Sequence, residues 1–258
     1  MRAYSLVAFN TATASTNRIH DDDVARTFGF RGGLVPGVDV YAYLAHPPVA
    51  AWGREWLERG WMRARFLQPV YDGDPTEVVP VGDDGLEVRN PDGAVCATAT
   101  AGLPDGPPSP IDPSDWPDVA QVEDPPVAAP EHLVPGTAFG LAPHGFHADR
   151  SAEYLEAVRE TDPIFLTEGL AHPGWILRDA NYVLSANVRL GPWIHVESHV
   201  QHHAVVPDGA EVSARALVTR EWEHKGHRFV ALDVLHLADG RPVARTDHTA
   251  IYRPRGAS

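Results

Sequence analysis

Alternating hydrophobic and polar positions divide the chain into two similar halves. Asp-Gly pairs separate many of the alternating stretches, and Asp-Gly between such stretches is a strong signal for a β-hairpin. The stretches that predict strands are 60–70, 77–81, 86–89 and 94–101 in the first half, and 193–206, 212–222, 228–237 and 241–252 in the second. The order of turns and strands is shared, so we interpret the chain as a degenerate internal repeat of antiparallel strands.

A helical pattern precedes each block of strands. Apolar residues recur at helical spacing over 34–49, and Pro47-Pro48 is expected to end or kink that helix. The same periodicity recurs over 176–187, with Pro173 near the predicted helix start. One apolar helix followed by a meander of antiparallel strands, twice over, predicts an α+β architecture.

A segment rich in proline and aspartate lies between the two halves. Residues 104–135 hold ten of the 24 prolines, which excludes a helix or a central strand there. We therefore expect an N-terminal domain over 1–103, an extended linker over 104–135 and a C-terminal domain over 136–258. Trp116 and Leu133 are expected to hold the linker against a domain surface.

Composition narrows the classes of function. The formal net charge of −14 disfavours a nucleic-acid partner, because phosphates require a basic surface. No apolar run approaches the ~20 residues of a membrane-spanning helix, so no membrane partner is expected. The single cysteine, Cys96, excludes an internal disulfide and a cysteine-rich zinc site. These features predict a cytoplasmic protein.

A motif near the N-terminus is similar to that of a known family. Its residues resemble the hydratase motif of MaoC-like proteins, which include (R)-specific enoyl-CoA hydratases and dehydratases. The resemblance implies a double hot-dog fold, with two antiparallel sheets each wrapped around a central helix and paired as a pseudo-dimer. The matching residues are Asn17, Ile19, His20, Ala25, Gly29, Phe30 and Gly37.

The resemblance implies roles for four residues. His20 would be the acid/base, Asn17 would orient the water or the loop, and the Gly37 N–H would stabilise the thioester oxyanion. The family's catalytic aspartate is replaced by Ser15, whose hydroxyl could orient water but does not titrate. Two further departures are Arg18, in place of the family's proline, and Pro36, in place of a histidine.

Other residues around the motif allow more than one interpretation. The acids at 21–23 are expected to cap a short helix over 22–27. Asp39 could activate water, as acids on this helix do in hot-dog thioesterases, or could simply suit a first helical turn. Tyr41 could line an acyl pocket or belong to the core. Gly33 ends a glycine-containing loop that could meet substrate or serve as a turn before the helix.

The second half is rich in histidine. His195, Glu197 and His199 alternate, which would place them on one face of a strand, where they could hold a metal. The resemblance calls for no metal and no other cofactor, and histidine is tolerated on exposed sheet faces. The remaining histidines are interpreted as surface or pocket-rim residues: His202, His203, His224, His227, His236 and His248.

Three functions follow as hypotheses. The first is a lyase that adds or removes water at an enoyl or 3-hydroxyacyl thioester, carried by CoA or a carrier protein, or at a similar β-hydroxy carbonyl compound. The second is a thioesterase that uses Asp39. The third is a non-catalytic protein that binds a hydrophobic acyl or natural-product ligand. The second half is expected to supply pocket wall, and the protein is expected to form a homodimer.

Overall fold

The computed structural model describes residues 1–12 and 15–256. The strands are β1 (Tyr4–Val7), β2 (Trp61–Phe66), β3 (Pro75–Val81), β4 (Gly85–Arg89), β5 (Val95–Gly102), β6 (Ala138–Gly145), β7 (Ile194–His202), β8 (Glu211–His224), β9 (His227–Ala238) and β10 (Arg241–Arg253). The helices are α1 (Asp22–Thr27), α2 (Gly37–Arg59), α3 (Ala148–Ala157), α4 (Ile164–Thr167) and α5 (Pro173–Asn187). The predicted strands and central helices are therefore present, while β1, β6, α3 and α4 were not predicted.

The strands form one antiparallel sheet whose order repeats across its centre. The order is β1-β3-β4-β5-β2-β7-β10-β9-β8-β6, so each half contributes five strands in the same relative arrangement. Strands β2 and β7 join the halves, with Met62 opposite Val200. The two predicted sheets are thus continuous with each other, and the α+β double hot-dog architecture is confirmed.

Helices α2 and α5 fill the space enclosed by the sheet and contact each other. Their close approach requires a glycine. A Cβ atom at Gly174 would lie 2.7 Å from the Cβ of Ala42 and 3.1 Å from the carbonyl oxygen of Val38. Because real Cβ atoms do not approach other atoms this closely, a larger residue would push the helices apart.

The prediction that Pro47-Pro48 would end or kink the first central helix was wrong. Helix α2 passes through both prolines and is kinked instead at Gly53, whose backbone angles of φ 55° and ψ −139° are not helical. Proline costs a helix the N–H donor and crowds the preceding turn. Both prolines are buried, so packing against the core outweighs this local preference.

Turn chemistry explains why the hairpins of the second half were predictable. Asp239 and Gly240 connect β9 to β10, and both have positive φ, at 48° and 74°. Two consecutive residues of this kind are typical of the type I′ turn, which matches the twist of paired strands. The Asp-Gly sequence therefore fixes this hairpin locally, before any long-range contact forms.

The segment between β5 and β6 has two 3₁₀ turns, Pro113–Asp115 and Pro130–His132, and no strand or α-helix assigned to it. Trp116 packs against Leu235 and Leu237 of β9, and its indole Nε1 donates a hydrogen bond to the Asp233 carbonyl oxygen at 3.2 Å. The segment thus covers an apolar strip on the outer face of the second half. The domain boundaries themselves remain a prediction.

Candidate functional site

Two adjoining cavities meet near the N-terminal end of α2, with walls from both halves of the chain. The apolar cavity has a volume of about 240 Å³ and is lined by side chains that include Ile19, Phe30, Leu34, Val40, Phe66 and Ile194. The polar cavity, of about 370 Å³, is lined by side chains that include Thr11, Ser15, Thr16, Arg178, Tyr182 and Ser185. Among the residues that the structure describes, five line both cavities: Asn17, His20, Pro36, Asn181 and Trp193.

Local structure places His20 and Asn17 at this junction. His20 ends a 3₁₀ turn for which Asn17 is the N-cap. The Asn17 carboxamide bridges to the second half, because its Oδ1 accepts from the Trp193 N–H at 3.2 Å and its Nδ2 donates to the Trp193 carbonyl oxygen at 3.0 Å. The same Nδ2 lies 3.3 Å from His20 Nε2. Asn17 therefore ties the motif of the first half to the start of β7.

These contacts fix the tautomer of His20. Its Nδ1 lies 2.7 Å from the Leu34 carbonyl oxygen, which can only accept, so Nδ1 carries the proton. Its Nε2 faces the Asn17 amide donor, whose orientation the Trp193 backbone dictates. Burial lowers the pKa of His20, against the raising effect of the Leu34 carbonyl. The imidazole is thus held neutral, with a lone pair on Nε2 where the cavities meet.

Ser15 lines the polar cavity together with His20 and Asn17. Its Oγ accepts a hydrogen bond from the Asn17 backbone N–H at 3.1 Å, and the residue is exposed. The hydroxyl can hydrogen-bond water in this cavity, but it adds no titrating group beside His20.

Gly37 lines the apolar cavity as the first residue of α2. The N–H of a first helical residue has no acceptor inside the helix and lies at the positive end of the helix dipole. A Cβ atom at this position would lie 2.8 Å from Nδ1 of His195. Glycine thus lets the histidine of β7 pack directly on the backbone at the helix start.

Gly33 and Tyr41 were predicted to bind substrate, and the structure places both outside the cavity walls. The Gly33 N–H is already committed to Asp22 Oδ1 at 2.7 Å, and a Cβ here would lie 2.1 Å from the His20 carbonyl oxygen. Gly33 therefore supports the backbone of His20. Tyr41 is fully buried in the core, the other interpretation given above.

Asp39 is also buried and does not line either cavity. Its Oδ1 pairs with the Arg178 guanidinium at 2.8 Å, and its Oδ2 accepts from the Thr11 hydroxyl at 2.5 Å. Both carboxylate oxygens are thus engaged: Oδ1 holds the first half to α5, and Oδ2 bonds within the first half. By contrast, the acids at 21–23 behave as predicted: Asp21 caps α1 by accepting from the N–H groups of Asp23 and Val24.

The predicted set of His195, Glu197 and His199 on one strand face is not formed. Thr249 pairs with Glu197 but Ala250 pairs with His195, so β7 carries an extra residue and bulges there. A bulge reverses the alternation of side chains. His195 is consequently buried, while the His199 side chain is 43% exposed. Within residues 1–12 and 15–256, no group of three or more His, Cys, Asp or Glu side chains is arranged to hold a metal.

Three histidines expected at the surface or pocket rim are instead buried: His202, His236 and His248. His195 Nε2 lies 2.7 Å from Ser198 Oγ, which lies 3.0 Å from His248 Nδ1. His236 pairs with the Thr246 hydroxyl at 3.0 Å. Burial lowers the pKa of His202, His236 and His248 to about 3, so these rings are neutral core residues.

The residues that sequence reasoning missed come from the second half. Trp193 and Asn181 line the apolar cavity, as does His195, which the sequence analysis names only as a candidate metal ligand. We expected this half to supply cavity wall but could not name the residues. The Asn17–Trp193 contact joins positions 176 residues apart, and no local pattern in the sequence indicates such a contact. A helix-face argument could have singled out Asn181, since it follows Arg178 by three positions.

No helix in the described part of the chain has both the length and the apolar character needed to cross a membrane.

Comparisons with known proteins identify the fold. No protein-family model and no curated protein matches the sequence. Among solved structures, a MaoC-like dehydratase aligns with 98% of this chain and 98% of its own, at 13% identity and a TM-score of 0.62. A MaoC domain protein dehydratase described as putative, from Chloroflexus aurantiacus, gives 99% and 96% coverage, 13% identity and a TM-score of 0.62.

A third structure names the architecture directly. It is Rv0216 from Mycobacterium tuberculosis, described as having a double hotdog fold. It covers 97% of this chain and 96% of its own, at 16% identity and a TM-score of 0.60. The chain therefore has the double hot-dog fold, the fold of the MaoC-like dehydratase structures that it resembles.

Proposed function

We propose that this protein is a hydro-lyase that adds water to, or removes it from, an enoyl or 3-hydroxyacyl thioester. The observation that carries the proposal is the neutral His20, whose Nε2 lone pair lies where an apolar and a polar cavity meet. The Gly37 N–H at the start of α2 borders the same apolar cavity. A base and an oxyanion donor at one cavity are the two groups that this reaction requires.

In the hydration direction, one histidine can move both protons. Water displaces Asn17 Nδ2 from its long 3.3 Å contact with His20 Nε2, and Nε2 then accepts a proton from this water as the water oxygen bonds to Cβ of the substrate. The electron pair of the double bond moves toward the thioester oxygen, which the Gly37 N–H stabilises. The His20 imidazolium then returns the proton to Cα, and burial favours this release because it lowers the pKa of the ring. The net change is addition of H and OH across the double bond, and dehydration is the reverse.

The contacts of Asp39 favour this reaction over thioester hydrolysis. A hydrolytic base must reach a water beside the thioester carbonyl, and both Asp39 carboxylate oxygens are engaged away from the cavity walls. The steps proposed for the lyase use side chains and backbone of this chain and call for no cofactor. Whether CoA or a carrier protein presents the acyl group, and whether two chains associate, remain predictions.

Ser15 favours the non-catalytic binder as a second candidate. With serine in place of the family's aspartate, no Asp or Glu side chain within residues 1–12 and 15–256 lines either cavity beside His20. A protein that merely holds a hydrophobic ligand would need no more than this. Mass spectrometry of ligand co-purified with the protein addresses this candidate.

The test is hydration of enoyl thioesters, followed as loss of the conjugated absorbance over a panel of enoyl-CoA chain lengths. The proposal predicts turnover on at least one chain length, with no thiol released. Thiol release at the same rate would identify a hydrolase instead. Absence of turnover on the whole panel, together with a tightly held co-purified lipid, would contradict the lyase and favour the binder.

A further inference from the structure

Helix α5 presents a continuous polar face to the polar cavity. Arg178 and Asn181 line this cavity with Tyr182 and Ser185, which follow Arg178 by four and seven positions. Residues with this spacing lie on one side of a helix. The second half thus contributes an ordered row of hydrogen-bonding groups opposite the motif of the first half, in addition to cavity wall.

Asn181 is the most informative of these four residues, because it lines both cavities, as His20 does. Its Oδ1 is buried, and no hydrogen-bond partner for it occurs within residues 1–12 and 15–256. Keeping an unpaired amide oxygen away from water costs stability. Packing alone gives no reason for an asparagine rather than a leucine here, whereas a ligand that pairs with the carboxamide does.

The charges of the α5 side chains that line the polar cavity indicate which chemical groups of a ligand can bind there. Arg178 is the one basic side chain among the residues that line the polar cavity, and its Nη2 already pairs with the buried Asp39 carboxylate. An incoming anion would therefore meet a neutralised pair. Because the unpaired Asn181 Oδ1 can only accept, the matching ligand group must carry an N–H or O–H donor. Neutral hydroxyl and amide groups meet this requirement, and their oxygens can also accept from the remaining amide and hydroxyl groups of α5.

We propose that Arg178, Asn181, Tyr182 and Ser185 form a recognition surface for a neutral, oxygen-bearing part of the ligand that reacts at His20. This inference rests on the proposed function for the identity of the reacting acyl thioester. The oxygen-bearing part belongs either to an oxygenated acyl chain or to the amide-containing arm of the thioester carrier. The apolar cavity then receives a hydrocarbon portion on the other side of His20.

Calorimetric binding of saturated thioesters tests the surface without requiring turnover. The reference probe is heptanoyl-N-acetylcysteamine. One test probe, 6-hydroxyhexanoyl-N-acetylcysteamine, replaces the terminal methyl group of the acyl chain by a hydroxyl group, and the other, heptanoyl-pantetheine, extends the carrier arm with further amide and hydroxyl groups. We expect at least one test probe to bind the wild type about 3- to 10-fold more tightly than the reference, as for one or two neutral hydrogen bonds.

Variants test whether this binding preference depends on the proposed recognition surface of α5. Asn181→Leu removes the carboxamide at similar volume and should abolish the preference, while Ser185→Ala should reduce it. Ser213→Ala is the control for Ser185→Ala. It removes the same hydroxyl group at a residue that lines neither cavity, and it should preserve the binding preference. Thermal unfolding of each variant shows whether it is folded.

The outcomes separate the two proposals. A preference for the hydroxyl probe identifies the acyl chain as the source of the hydrogen-bonding group, and a preference for the pantetheine probe identifies the carrier arm. Equal binding of all three probes, or a preference that survives in folded Asn181→Leu, would overturn the recognition surface. A preference that depends on Asn181 in a protein without hydratase turnover would leave the surface in place and remove only the lyase proposal.

Discussion

A proline followed by a glycine lies at the start of both α2 and α5: Pro36 precedes Gly37, the first residue of α2, and Pro173 and Gly174 are the first two residues of α5. At Gly37 the backbone borders the apolar cavity, and the proline that precedes it makes no side-chain cap. At Gly174 the N–H is taken by His172 Nδ1 at 3.0 Å, and the site of a Cβ is crowded by Tyr154 and Ala42. The backbone N–H of Gly37 is therefore available to a ligand in the apolar cavity, whereas the N–H of Gly174 donates to a side chain of the protein.

A buried charge cluster occupies the region of the second helix start. His172 Nε2 and His46 Nδ1 contact the two oxygens of Glu160 at 3.2 Å and 2.6 Å. Burial alone would raise the pKa of Glu160, but the hydrogen bonds from the two histidines outweigh it and hold the pKa below its ordinary value. The comparison teaches that duplication supplied two similar helix starts, of which one borders open cavities and the other joins the halves.

The largest expected effect is on the first helix start. His20→Ala removes the proposed acid/base and should lower turnover about 10²- to 10⁴-fold, the usual contribution of such a group. His224→Ala, which removes an exposed histidine, is the matched control and should retain wild-type turnover. Equal activity of the two variants in the enoyl-thioester assay would contradict the role of His20.

Glu160→Gln should act on the second helix start and affect stability. His172 Nδ1 accepts from Gly174, so its Nε2 must donate, and a glutamine N–H placed opposite it would leave both donors unpaired. We expect a loss of about 1–3 kcal/mol in the free energy of unfolding, as when a buried hydrogen-bond donor is left without its acceptor. Urea unfolding measures this, with the exposed Glu153→Gln as control. Equal stability of the two variants would argue against the cluster as a structural element.

The same carboxylate predicts a pH dependence. The pKa of Glu160 is lowered in the folded state, so its contribution is full above the ordinary glutamate pKa of about 4.3 and is lost as pH falls below it. Glu160→Gln should therefore flatten the urea midpoint against pH in the acid range and leave its slope near neutrality unchanged.

Alanine substitutions of the two glycines should affect different properties: Gly174→Ala should lower stability, and Gly37→Ala should lower activity. Gly174→Ala should cost about 1–3 kcal/mol of stability, because its Cβ meets the Val38 backbone and Ala42. Gly37→Ala should cost activity first, because its Cβ meets the His195 ring beside the cavity. Unfolding midpoints and turnover of both variants test this; turnover retained in Gly37→Ala and lost in folded Gly174→Ala would reverse the comparison.

The smallest effect concerns one buried histidine of the second half. The pKa of His236 is lowered to about 3, so the unfolded chain binds its proton first and stability falls as pH decreases from about 6.5 toward 3. His236→Gln should reduce the slope of unfolding free energy by about 1.4 kcal/mol per pH unit in that window. Urea unfolding at pH 7.5, 6 and 5 checks this; an unchanged slope would contradict the buried neutral ring.

The sequence predicted those structural features that depend on residues close together in the chain. Alternation and Asp-Gly turns located eight of the ten strands, and the resemblance to the MaoC-like motif located Asn17, His20 and Gly37, which the structure brings to the cavities. The same reasoning failed for His195, because a bulge in β7 reverses the side-chain alternation. It also failed at Pro47-Pro48, where burial overrides a local preference, and it could not name Trp193, whose contact with Asn17 arises only when the halves pair.

The central claim is that His20 is a neutral base at the active helix start. The most direct test is the pH dependence of kcat/KM for enoyl-thioester hydration, which reports ionisations of the free enzyme. Because burial lowers the pKa of His20, the account predicts that kcat/KM rises with pH to a plateau, with an apparent pKa below the ordinary histidine value of about 6.5. An activity that rises only above pH 6.5, or one that falls as His20 loses its proton, would contradict it.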